Sequence, residues 1–436
     1  MRILFLTIAV FIMQQVQAQY TFHSLEEIWN YAESHSAQMY TAYSNQAIAG
    51  KGIDQAYGAL LPSLGINGSF TDNIQLQPTL VPAELFGGEP GTYREEEFGK
   101  RYIYNAGITA QIDLINTQSW FSIKAARQYY ETATLNVIKT RHELYNQLAN
   151  AYYNYLLMNE ASVLAKESLS IAIGTYETIS GKYTEGLVNE VSLNTARINL
   201  GKTEMNLHDA IQNKHLALNN LKILLNLSVK DSVTLEVDTL VSAPALGQLS
   251  QDFPTDNEVR LAYSNMLVAK INWQSAKASY IPTLSAVYSA GKQLAGDNFF
   301  NFENTSNLPQ QYWGLRLTIP ILSGGTRAYQ TARTRIELDT QQKVYESSLR
   351  SAQINDDNLI LAYERTYSAY REARKILDLY RQNDSHADRK LHEGLISVDE
   401  RLRVYQDFIT YQHEYLQAVS RYFIQYYTIQ VRQKTF

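Results

Sequence analysis

The chain has 436 residues and no cysteine. Disulfides and thiolate nucleophiles are thereby excluded, as is a lipid anchor on a cysteine at a mature N-terminus. Proline is scarce, with nine in all. A basic excess is missing too: the formal net charge of −5 gives no support for a nucleic-acid partner. No segment of the mature chain reaches the 18 or so consecutive apolar residues of a spanning helix, so a position within a membrane could be taken only by strands. Signatures of catalysis are absent as well. There is no HExxH and no phosphate loop, and Ser323-Gly324-Gly325-Thr326 lacks the required lysine and glycine spacing, so it reads as a strand-to-helix turn. The sequence therefore points to no enzyme, no cofactor and no metal centre.

What is present is tyrosine, 32 of them, within long stretches rich in Ala, Gln and Leu, a composition of extended helices. Residues 1–18 read as a signal peptide. Arg2 supplies the positive start, residues 3–13 the apolar run, and Val16-Gln17-Ala18 a small-residue cleavage site before Gln19. An exported protein without disulfides must draw its stability from packing or assembly.

The chain also repeats itself. AYGALLPSLGINGSF around Pro62 matches SAKASYIPTLSAVYS around Pro282, and Gly107 aligns with Gly314. Glu185-Gly186-Leu187 recurs as Glu393-Gly394-Leu395. We therefore expect a first repeat over 19–226, a linker or equatorial segment over 227–253 and a second repeat over 254–436. Each repeat begins with a helix (24–60; 255–280), continues with two strands and a very long helix (119–183; 327–392), breaks at its Glu-Gly-Leu and ends in another helix. At 1.5 Å per residue the long helices would each extend about 100 Å. Leu200, Leu207, Leu218, Leu221 and Leu225 mark the stripe of a helix packed along its length on others. In that setting Gly186 and Gly394 let the chain reverse, forming tips near 184–192 and 392–400.

Four segments alternate with period two: about 62–77, 101–115, 282–294 and 311–322. One side carries residues such as Leu64, Ile66, Ile108, Tyr288 and Trp313. The other carries Asn67, Gln111, Asp113 and Arg316. This fits membrane strands with a wet interior, the four polar residues facing a lumen, although a soluble sandwich alternates too. Four strands cannot close, since about eight is the smallest closed membrane barrel. Several copies must then share one sheet. The connections 78–100 and 295–310, rich in Gly, Pro, Asn and acids, read as solvated loops.

The duplicated order resembles the TolC-type outer-membrane efflux family over essentially the whole mature chain. The resemblance is carried by Leu61-Pro62-Ser63-Leu64 and Ile281-Pro282-Thr283-Leu284, by IPILSGG over 319–325, and by the spacing of Gly394, Ser397 and Glu400. Departures occur at Asn189 and Ser192, where Ser/Thr and an acid are more usual, and at Asn226, where glycine often ends the fourth helix. The resemblance implies a fold that is mostly α with a membrane β-barrel: a homotrimer whose twelve strands form one barrel and whose coiled-coil hairpins form a periplasmic tunnel. It further implies contact with outer-membrane lipid, docking to a periplasmic adaptor (membrane fusion protein), an inner-membrane pump of RND, ABC or MFS type, and tips that open and close the conduit. The rival reading is a soluble periplasmic coiled-coil adaptor, which would carry no duplicated strand pairs.

On that basis Glu190, Asp399 and Glu400 are candidates for a gate or selectivity ring, three copies of each converging on an axis. Acids in a first helical turn also serve the helix dipole, and Ser397 with Glu400 fits a capping box. His386, Asp388 and His392 would matter as a cation site only through the same convergence. His208 and His215, seven apart on one stripe, read as packing or surface residues.

Overall fold

The structure, a computed structural model, describes residues 19–235, 253–303 and 305–434. The expected signal peptide and most of the segment 227–253 lie outside the described residues. In chain order the elements are β1 (Gln19–Phe22), α1 (Leu25–His35), α2 (Ala37–Gly58), β2 (Ser63–Asp72), β3 (Pro78–Pro82), β4 (Tyr93–Glu97), β5 (Tyr102–Ile115), α3 (Thr117–Thr184), α4 (Glu190–Leu224), β6 (Ser232–Leu235), α5 (Asn257–Ala278), β7 (Thr283–Gly296), β8 (Ser306–Thr318), α6 (Thr326–His392) and α7 (Val398–Gln433). Apart from the added β3–β4 pair in the first half, the order helix, strand, strand, long helix, helix occurs twice, from α2 to α4 and from α5 to α7. Two compact units result, each drawing on both halves of the sequence.

Of the described residues, the first unit contains 19–45, 134–235, 253–261 and 346–434, and among these it is helical apart from one pair of short strands. Its packing follows a seven-residue rhythm. Buried positions on α7 form two interleaved rows, Val398, Tyr405, Gln412, Val419 and Arg401, Phe408, Tyr415, Tyr422, Ile429. On α6 the row is Tyr363, Tyr370, Leu377, Asp384, Leu391. A sustained repeat of seven keeps one seam of each helix on its neighbours, as in coiled coils. Many of these positions hold tyrosine or phenylalanine, and the rings of Tyr370, Tyr422, Phe423, Tyr426 and Tyr153 pack against one another, some stacked and some edge to face. Of the leucine stripe on α4, Leu221 and Leu225 are fully buried and Leu200, Leu207 and Leu218 half-buried.

Three local differences from the sequence reading have physical causes. The first helix is broken at Ser36, whose backbone leaves the helical region (ψ 132°) and whose Oγ accepts from Gln38 N–H, so the serine caps α2. Within the loop expected at 78–100, the run Thr79-Leu80-Val81 pairs with Arg94-Glu95-Glu96 as a β3–β4 hairpin, with Pro78 and Pro82 at the strand ends. A parallel pair, β1 with β6, joins residues more than 200 positions apart, beyond the reach of any local periodicity.

The second unit contains Gln46–Ala133 and Ala262–Tyr345. At its centre is a four-stranded sheet in the order β2–β5–β7–β8, every neighbour antiparallel. The β5–β7 pairing joins the two sequence halves. A bulge leaves Leu114 without a partner between Asp113 and Ile115. Gly107 and Gly291 lie opposite each other, and a Cβ on Gly291 would fall 3.0 Å from the Ala106 carbonyl oxygen and 3.2 Å from Gly107 Cα. Only glycine allows the strands to approach so closely there.

Candidate functional site

Two features hold the residues singled out by the sequence: the helix turns of the first unit and the sheet of the second. The turns are built alike. Gly186 and Gly394 both take φ +73°, the left-handed conformation that glycine adopts without steric cost. Leu187 N–H donates to the Lys182 carbonyl (2.8 Å) and Gly186 N–H to the Tyr183 carbonyl (3.0 Å). At the other turn Leu395 N–H donates to Lys390 (2.8 Å) and Gly394 N–H to Leu391 (3.1 Å). Each is a Schellman motif, closing the C-terminus of the long helix with two backbone bonds.

The following helices start from side-chain caps. Asn189 Oδ1 accepts from Ser192 N–H (2.8 Å), and Ser397 Oγ accepts from Glu400 N–H (3.1 Å). Asparagine thus does in the first repeat what serine does in the second. Glu190, Asp399 and Glu400 lie in these first turns with exposed side chains. Both turns close over a single apolar cluster of Ile179, Ala196, Leu391, Val398 and Leu402, which places the two breaks side by side.

Behind the turns lies a polar network that the sequence reading missed. Arg401 is 1% exposed, and its Nη1 donates to Asp384 Oδ1 at 2.7 Å. Asp388 lies 3.7 Å from Arg401 Nε. Burial pushes the Asp384 carboxyl above the usual carboxylate range, with the Arg401 charge opposing that rise. Arg381 binds Glu167 through two bonds of 3.1 and 3.0 Å, linking α6 to α3. The Tyr405 hydroxyl donates to the Ser168 carbonyl (3.2 Å) and lies 2.9 Å from Thr203 Oγ1, linking α7 to α3 and α4. A cavity of about 370 Å³ opens beside Glu167, Arg381, Asp384 and Arg401. The signal was readable: Arg401 and Asp384 each occupy a heptad position otherwise held by apolar or aromatic residues.

His208 and His215 are exposed. His386 Nδ1 contacts Arg389 at 2.6 Å, and His392 Nδ1 lies 3.0 Å from the Asp388 carbonyl. Among the described residues no three His, Asp or Glu are grouped so as to hold a metal.

In the sheet, directly opposed residues share a face. One face carries Asn67, Asn105, Thr109, Gln111, Asp113, Ser285, Ser289 and Arg316; the other carries Leu64, Ile66, Ile108, Ala110, Tyr288, Trp313 and Leu315. All four polar residues named from the sequence therefore lie on one face. Asp113, Ser285 and Arg316 form a cross-strand row, and Ser285 Oγ donates to Asp113 Oδ1 at 2.8 Å. On the opposite face Ile66 is 83% and Trp313 78% exposed, which is costly in water. Among the described residues β2 and β8 are each paired along one edge only. No helix among the described residues is long and apolar enough to cross a membrane.

Known proteins share this architecture. The sequence model of the outer membrane efflux protein family matches residues 29–227. The solvent efflux pump outer membrane protein SrpC of Pseudomonas putida is 21% identical over 307 residues, which cover 67% of this chain and 63% of that protein. The toluene efflux pump outer membrane protein TtgI of the same species matches equally. The match thus spans less than two thirds of the length of these relatives. Among solved structures, the CmeC outer membrane channel of Campylobacter jejuni superimposes with a TM-score of 0.75 at 15% identity, covering 94% of this chain and 85% of that one. The outer membrane protein VceC of Vibrio cholerae gives 0.73 at 17% identity, covering 94% and 96%. With its duplicated strand pairs and its long helices reversed at glycine, the chain is similar to the outer membrane efflux protein family over residues 29–227 and shares the fold of these solved channels.

Proposed function

We propose that the protein is an outer-membrane exit channel: a passive, non-enzymatic conduit of a tripartite efflux or secretion system, in the outer membrane of a Gram-negative bacterium. The observation that carries this reading is the sheet. It has one polar and one apolar face and two unpaired edges, and four strands are too few to close. Because its strands alternate in direction, β8 of one copy runs antiparallel to β2 of the next. Three copies give twelve strands, an even number that closes without a mismatched pair. The polar face, with Asn67, Gln111, Asp113 and Arg316, then lines a wet lumen, and the apolar face meets lipid.

In this assembly the turns at Gly186 and Gly394 form the periplasmic mouth. Glu190, Asp399 and Glu400 ring it, and a periplasmic adaptor docks there to connect the channel to an inner-membrane pump. A free-standing periplasmic adaptor does not account for the exposed apolar sheet face. The test is extraction from outer membranes in detergent, determination of subunit number and conductance in a planar bilayer. A trimer with stable unitary conductance is expected; a water-soluble monomer without conductance would overturn the reading.

A further inference from the structure

The β7–β8 connection contains three phenylalanines, Phe299, Phe300 and Phe302, which remain 60%, 65% and 48% exposed. They are nonetheless held in place. The Phe299 ring lies 5.8 Å from Phe70 and 5.6 Å from Tyr102, while Tyr104 is 5.6 Å from Phe300 and 5.1 Å from Phe302. Phe70, Tyr102 and Tyr104 share the apolar face of the sheet. The connection therefore folds back over that face rather than standing free as the solvated loop read from the sequence. Since β7 follows α5 and β8 leads into α6, this occurs at the strand ends remote from the helices.

The placement is constrained by the backbone as well. Phe300 takes φ +53°, a conformation rare for a bulky residue, and its N–H donates to the Tyr104 hydroxyl at 2.9 Å. Ion pairs border the rings: Lys100 with Asp297 at 2.5 Å and Arg101 with Asp72 at 2.9 Å, the Arg101 guanidinium lying over the Tyr102 ring. The result is a patch of six aromatic rings, three of them on a strained loop, edged by charges that neutralise one another.

We propose that this patch is a lipid anchor in which Phe299, Phe300 and Phe302 enter the headgroup–acyl boundary of the leaflet at the strand ends remote from the helices. The occupant is a lipid bilayer because the rings continue, without a break, the face that meets lipid in the barrel reading, on which this inference rests. Aromatic rings accumulate at that boundary, and the paired charges beyond them suit its polar side.

The test places the full-length protein in vesicles of phosphatidylcholine with bromine on the acyl chains, or in the same lipid without bromine. Trp29→Phe, Trp120→Phe and Trp273→Phe are made throughout, so that Trp313, on the apolar face, is the internal reference. Phe299→Trp and Phe302→Trp, each in a Trp313→Phe background, report on the loop, and both are ring-for-ring changes at exposed positions. The expected result is that bromine removes the emission of Trp313 and of both introduced tryptophans, while aqueous iodide leaves all three bright. Loss at Trp313 alone, with iodide quenching of the loop probes, overturns the anchor and leaves the barrel standing. Loop probes shielded from both quenchers also overturn it, since protein must then cover them. If bromine affects none of the three, the barrel reading and the anchor fall together.

Discussion

Arg401 is a charged residue in a position that its neighbours along α7 give to Phe408, Tyr415 and Tyr422. Its charge is met there by Asp384, which occupies the corresponding position on α6. A buried pair of this kind adds little net stability, because desolvation offsets the attraction, yet losing one member strands the other. Arg401→Met should therefore cost roughly 3 kcal/mol in unfolding measured in detergent, and adding Asp384→Leu should recover most of it. A double variant no better than the single would count against this account. A second titratable site is His142 on α3, whose imidazole burial pushes below its usual range, with Asp256, Glu143 and Arg432 acting on its charge. A depressed histidine contributes stability that is present above its unfolded value, about 6.5, and lost as pH falls through the folded one. On acidification below about pH 6.5 the melting temperature of the wild type should fall faster than that of His142→Gln; parallel curves would refute the assignment. At this scale the sequence was clearest at Gly186 and Gly394, where a left-handed turn can be inferred from a single glycine between helical stretches. It was least clear at Arg401, because a lone arginine resembles a surface residue until the seven-residue row around it is traced.

Among the elements, the helix turns carry the gating proposal. Their backbones are closed by the same pair of hydrogen bonds, so the difference between them lies in side chains: Asn189 and Glu190 in one, Ser397, Asp399 and Glu400 in the other. The caps use Asn189 and Ser397, which leaves the exposed carboxylates of Asp399 and Glu400 outside the cap bonds. Asp399→Asn with Glu400→Gln should lower the cation selectivity of the reconstituted channel while leaving the turn intact; unchanged reversal potentials in a salt gradient would sink the ring. The strands of the sheet were legible because alternation is a local property of the chain. The β3–β4 hairpin was obscured by its prolines and by Glu95-Glu96-Glu97, which read as loop. The fold-back of Phe299, Phe300 and Phe302 depends on rings from β2 and β5, and no window around residue 300 contains them.

For the molecule as a whole, duplication explains why two units arise from one repeated order: each is completed by segments from both halves. The sequence announces the repetition but not the partnering, for nothing in the pattern of β5 states that its second neighbour is β7. That pairing has a temporal consequence. The reversal from α3 to α4 is sealed by bonds between residues three and five positions apart, whereas Gly107 must find Gly291 across the whole of α3, α4 and α5. Closing so long a loop costs more entropy and is slower than closing a local turn. In pulsed hydrogen exchange during refolding, amides flanking Gly186 and Gly394 should gain protection before those of β5 and β7; simultaneous protection would contradict this order. The chain would then complete its helical hairpins in water while the sheet is still unmade, so that the surface meant for lipid is assembled last.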